Sequence, residues 1–169
     1  LLIAIVVLNL VVSNYQDYNF EFDLNTIFSG VISAIILYFI FLAGKYGSEL
    51  LFSFGQQQIT SVYQLGKNTD YAVISLVLVV AGIGEELLWR GFLQQNLTQL
   101  FSAKLGYIIT SLIYAGVHIW TGNLILVLAA LTAGLFWGYL YWKNKSLMQV
   151  IISHVLWDLL VFALFPLNF

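Results

Sequence analysis

Glu85, Glu86 and Arg90 follow an almost uninterrupted apolar run over residues 71–83, where two carboxylates and a guanidinium are out of place. Charge at the centre of a membrane helix costs about 2.5–3.5 kcal/mol on insertion scales, so such a cluster persists where its members pair or line a wet cavity. Glu86 and Arg90 are four apart, lie on one helix face and can pair. Glu85 sits about 100° round the helix and is left without a local partner. A lone carboxylate in apolar surroundings suits proton transfer near neutral pH. Other apolar runs carry both histidines of the chain: His118, with Tyr114 one turn before it, and His154, with Asp158 one turn after it. Two histidines and a carboxylate (Glu85, His118, His154) also make an acceptable catalytic zinc set, although no HExxH motif is present.

The composition says what must position these groups. The 169 residues are 61% hydrophobic and 8% charged, against about 25% charged in a soluble domain. Such a chain cannot cover a water-facing surface, and we expect an all-α, multi-pass integral membrane bundle with the lipid bilayer as its surroundings. The net charge of −2 offers nothing to nucleic acid, and the lack of cysteine excludes disulfides and thiolate ligands. The chain opens Leu1-Leu2-Ile3 inside an apolar run, as a chain truncated at its start would.

About six helices are expected. Residues 1–12 are apolar but too short to span alone. Residues 13–25 form an acidic, aromatic interfacial loop, and 26–44 a span. Residues 45–70 form a long polar connection in which Ile59, Val62 and Tyr63 recur at helical spacing, as in a helix on the membrane surface. The third span starts at Tyr71; the fourth covers 105–120, the fifth 124–142 and the sixth 146–165. Gly134 and Gly138 on the fifth make a small-xxx-small packing signal. Two regions follow: 1–70, the N-terminal helices and interfacial connector, and 71–169, the core with the ionisable groups. Lysines are nearly balanced between the two sides, so orientation stays open.

If the hairpin between spans three and four closes near Ser102, Glu85 lies about 17 residues before the turn and His118 about 16 after it, roughly 25 Å along each helix. They would then face each other, provided the third helix continues past Arg90 to about Leu100. Asp158, counted from the turn at Lys143–Lys145, comes within about one helical turn of that level.

The three motifs, Glu85-Glu86-Leu87-Leu88-Trp89-Arg90, Tyr114-Ala115-Gly116-Val117-His118 and His154-Val155-Leu156-Trp157-Asp158, resemble in order the EExxxR, FxxxH and HxxxN/D motifs of the CAAX-protease and bacteriocin-processing (Abi, CPBP) family, which includes the Rce-type endopeptidases. The likeness covers about 71–164. It implies a glutamate-type intramembrane endopeptidase acting near the membrane surface on a peptide or protein, lipidated in the relatives with a known role, and needing no metal. Glu85 would be the general base and His118 would hold the water. His154 and Asp158 would bind the carbonyl and oxyanion, and Glu86 with Arg90 would support the architecture. Two departures stand out: Tyr114 replaces the usual Phe, and Asp158 stands where the best-studied members have Asn.

Bland readings accompany each motif: a structural ion pair for Glu86–Arg90, an interhelical polar contact for His118, and a hydrogen-bond clip for His154–Asp158. The competing functions are a zinc peptidase on Glu85, His118 and His154, a proton-coupled transporter, and an inactive scaffold or bacteriocin-immunity protein of the same fold.

Overall fold

A computed structural model describes residues 20–64 and 66–167. The expected short apolar segment 1–12 lies outside the described residues. Among the described residues the chain is all helical: α1 (Leu24–Leu51), α2 (Gly55–Gln64), α3 (Tyr71–Leu100), α4 (Ala103–Gly116), α5 (Leu124–Asn144) and α6 (Leu147–Leu164). Polar side chains mark the helix starts. Asp23, Asp70, Ser102, Asn123 and Ser146 each accept from a backbone N–H in the first turn they precede, which satisfies donors that have no partner within the helix.

Of these helices α1, α3, α5 and α6 are long and apolar enough to cross a membrane. The remaining two, among the described residues, are shorter. α2 is the surface-type helix that Ile59, Val62 and Tyr63 suggested. α4 has 14 residues, about 21 Å, which falls short of the roughly 30 Å hydrocarbon layer. The expected span 105–120 breaks after Gly116. There the backbone tightens into a 3₁₀ turn over Ile119–Thr121, with Thr121 N–H and Oγ1 both bonded to His118 O. The polar connection also begins later than expected. α1 runs on to Leu51 and carries a buried Lys45, which lies 3.7 Å from Glu49 one turn further along.

α3 does reach Leu100, and Ser102 caps α4, as the hairpin argument required. Its middle, Leu87–Gln94, is π-helical. A regular helix rotates residues four apart by about 40° per step. The wider π turn keeps Glu86, Arg90 and Gln94 on one side, and all three are buried. α3 packs on α6, α1 on α6, and α4 on α5.

At the α3–α4 hairpin the backbones meet at Gly106. A Cβ there would run into Thr98 Oγ1 and lie 2.6 Å from the Thr98 backbone nitrogen. The backbone cannot swing away like a long side chain, so Gly106→Ala is expected to destabilise the bundle by about 1–3 kcal/mol. Denaturant titration in detergent micelles measures this; an unchanged midpoint would mean the hairpin is looser than drawn.

Candidate active site

The site lies where α3, α4, α5 and α6 meet, and it divides into two connected sets of side chains. The inner set centres on Glu86. Its Oε1 accepts from Arg90 Nη1 at 2.8 Å and lies 2.6 Å from His154 Nδ1. Glu86 is 0% and Arg90 1% exposed, so neither charge is shared with solvent. Arg90 extends further and donates from Nη2 to Gly134 O at 3.3 Å, while Gln94, one turn on, donates to Gly138 O at 2.8 Å. The two glycines expected to pack α5 closely therefore also present the carbonyls that receive α3.

His154 is held on three sides. Nδ1 is engaged by Glu86, the ring stacks on Trp137 at 3.8 Å between centroids and 20° between planes, and Nε2 lies 3.6 Å from Asp158 Oδ2. That last distance exceeds a hydrogen bond. Trp137 is itself fixed, fully buried and donating through Nε1 to Ser153 Oγ at 3.1 Å.

The outer set centres on Tyr114. Glu85 is half-buried, and its Oε2 accepts from the Tyr114 hydroxyl at 2.9 Å. His118 is also half-buried; its Nδ1 lies 2.8 Å from the Tyr114 carbonyl oxygen, and its ring meets the Tyr114 ring edge-on at 5.3 Å. The Arg90 guanidinium lies over the Tyr114 ring at 5.2 Å and joins the two sets.

The structure thus links candidate residues of all three motifs through pairwise contacts. Glu85 meets the Tyr114 hydroxyl and His118 the Tyr114 carbonyl, and Glu86, Arg90, His154 and Asp158 form a connected series. Trp137, Gln94 and Ser153 are not singled out by the sequence. Gly134 and Gly138, flanking Trp137, are the one available hint that this face of α5 lies close to a neighbour.

The zinc trio expected from the sequence, Glu85, His118 and His154, takes other partners in this structure. Among the described residues no three His, Asp or Glu side chains gather in a way that could hold a metal ion. Of the expected trio, His154 is turned to Glu86, while Glu85 and His118 are each turned to Tyr114.

An apolar cavity of about 410 Å³ opens elsewhere, between α1, α2, α5 and α6. Trp157 lines it and meets Trp137 edge-on at 5.5 Å, so a single aromatic layer separates the cavity from the His154 stack. Tyr63 on α2 fastens this side: its hydroxyl donates to Val161 O at 3.1 Å and accepts from Leu167 N–H at 3.0 Å. Burial pushes the Tyr63 phenol up from its usual value, so it remains a donor.

Residues 67–160, more than half of the chain, match the family described as type II CAAX prenyl endopeptidase Rce1-like. Searches of curated proteins and of solved structures gave no match.

Proposed function

The chain belongs to the type II CAAX prenyl endopeptidase Rce1-like family of membrane-embedded proteins, and from that premise we propose that it is a multi-pass intramembrane peptidase of the glutamate type. Its catalytic core would lie within 71–169, with the helices before it flanking that core. The observation that carries the reading is the shared anchoring of Glu85 and His118 by Tyr114.

A backbone carbonyl only accepts, so in the neutral ring His118 Nδ1 carries the hydrogen and donates it to Tyr114 O. Nε2 is then the acceptor. Glu85 uses Oε2 for the Tyr114 hydroxyl, which leaves Oε1, among the described residues, for a second donor. A water that donates one hydrogen to Glu85 Oε1 and the other to His118 Nε2 is left with a lone pair for a peptide carbonyl carbon. As the C–O bond forms, Glu85 takes the water's proton, and it returns that proton to the departing amine as the C–N bond breaks.

The oxygen of the tetrahedral intermediate needs a donor. His154 Nδ1 faces a carboxylate, so it donates there, and Nε2 can donate only when the ring is an imidazolium. An ionised Asp158 beside Nε2 would balance that charge, as Glu86 balances Arg90. In this reading Asp158 serves as the counter-charge of His154, and the carbonyl and oxyanion contact comes from His154. Glu86 and Arg90 support it.

The substrate class we propose is a peptide or protein segment presented at the membrane, with a lipid chain as an optional extension. The 410 Å³ apolar cavity falls within the usual range for small-ligand sites, about 300–1,000 Å³. Ala129→Trp would fill part of that cavity without touching the residues of the site. With purified protein in liposomes, we expect wild type to hydrolyse lipidated and unlipidated peptides, and Ala129→Trp to lose about tenfold on the lipidated ones alone. Equal loss on both would place the lipid chain elsewhere, and no hydrolysis by wild type would overturn the peptidase reading.

A further inference from the structure

The chain's departure at the head of its second motif places a hydroxyl where it touches the candidate base. The Tyr114 side chain is 7% exposed and cannot turn freely. Its ring meets Trp89 edge-on at 5.2 Å and His118 at 5.3 Å, and Arg90 covers it at 5.2 Å. On α5, a Cβ at Gly134 would come within 3.0 Å of Tyr114 Cδ1, so that helix backbone closes the remaining side. A ring held on all these sides aims its hydroxyl in one direction, and that direction is Glu85 Oε2 at 2.9 Å. The same residue's carbonyl fixes the His118 ring at 2.8 Å. One residue therefore sets both acceptors that would hold the water.

The geometry points to Tyr114 as a positioning residue of the reaction: its hydroxyl fixes the Glu85 carboxylate in the rotamer that presents Oε1 to water. This inference rests on the peptidase reading above. The backbone contact to His118 survives any side-chain change, so the two acceptors can be separated experimentally. Without the hydroxyl, Glu85 loses its observed protein partner and its carboxylate can rotate, while the pocket for substrate is unaltered. Loss of orientation lowers the rate of the bound complex rather than its formation. A hydrogen bond to a charged group sets the scale, and its loss corresponds to a fall of about 10- to 100-fold.

The test is steady-state hydrolysis of a fluorescence-quenched peptide by purified protein in liposomes, comparing wild type, Tyr114→Phe and Glu85→Gln. Tyr114→Phe removes one oxygen from a packed ring and keeps the apolar contacts. The expected result is a kcat lowered about 10- to 100-fold with KM within about twofold of wild type, and an unchanged unfolding midpoint. An unchanged kcat in Tyr114→Phe beside an inactive Glu85→Gln would overturn the positioning role and leave the peptidase reading standing. A change confined to KM would likewise overturn it, because a merely structural or binding role moves that constant. Full activity in Glu85→Gln would overturn the peptidase reading and this role with it.

Discussion

Glu85→Gln is expected to keep the bundle folded and to lose about 10²- to 10⁴-fold in the rate of peptide hydrolysis. An amide matches the carboxylate in size, and its oxygen can still accept from the Tyr114 hydroxyl at the position now 2.9 Å away. What it cannot do is take a proton from water. Glu85 is half-buried and has no ion-pair partner among the contacts described for the site, so its neutralisation leaves no opposite charge stranded. The loss should appear in kcat with little change in KM, since the proton transfer belongs to the transition state. Single-turnover hydrolysis with saturating enzyme reads this directly, and a variant within about threefold of wild type would assign the base elsewhere.

Arg90→Met carries the largest expected effect on stability. Arg90 and Glu86 form a fully buried pair, and His154 leans on the same oxygen of Glu86. Removing one partner of a buried ion pair costs about 3–5 kcal/mol, because the other charge is left uncompensated. Here the loss extends to the Gly134 carbonyl on α5, so the contact between α3 and α5 weakens as well. Arg90→Lys should recover only part of the stability: an ammonium is a single point charge and cannot reach Glu86 and Gly134 through two separate nitrogens. Unfolding in detergent by denaturant titration measures both variants. An Arg90→Met midpoint equal to that of wild type would show that the pair does not hold the bundle.

These two residues illustrate what the amino-acid order reveals. Charges inside apolar runs are costly enough that their position alone marks an interior site, and four-residue spacing by itself pairs Glu86 with Arg90. The position of the α3–α4 hairpin is legible because Ser102 is a readable cap, whereas Glu85, expected opposite His118, meets Tyr114 one turn before it. Local spacing says less about contacts between helices. Nothing in the order of residues shows that Glu86, rather than solvent, receives His154, or that Trp137 among five tryptophans stacks on that histidine. The early end of α4 is hidden because residues 105–120 remain mostly apolar on both sides of Gly116. The break at Gly116 follows from backbone hydrogen bonds around His118, which hydropathy does not register. The π-helical stretch of α3 is hidden for a similar reason, since its residues would fit a regular helix equally well.

The central claim is that Glu85 and His118 activate water for peptide hydrolysis without a metal. The most direct measurement is cleavage of a quenched membrane-peptide library by purified protein in liposomes, run with wild type and Glu85→Ala, each with and without a strong chelator. The account predicts hydrolysis by wild type that the chelator leaves intact and that Glu85→Ala abolishes. Activity removed by the chelator and restored by zinc would contradict it in favour of the metal reading. A folded wild type with no activity across the library would contradict it in favour of a scaffold or immunity role.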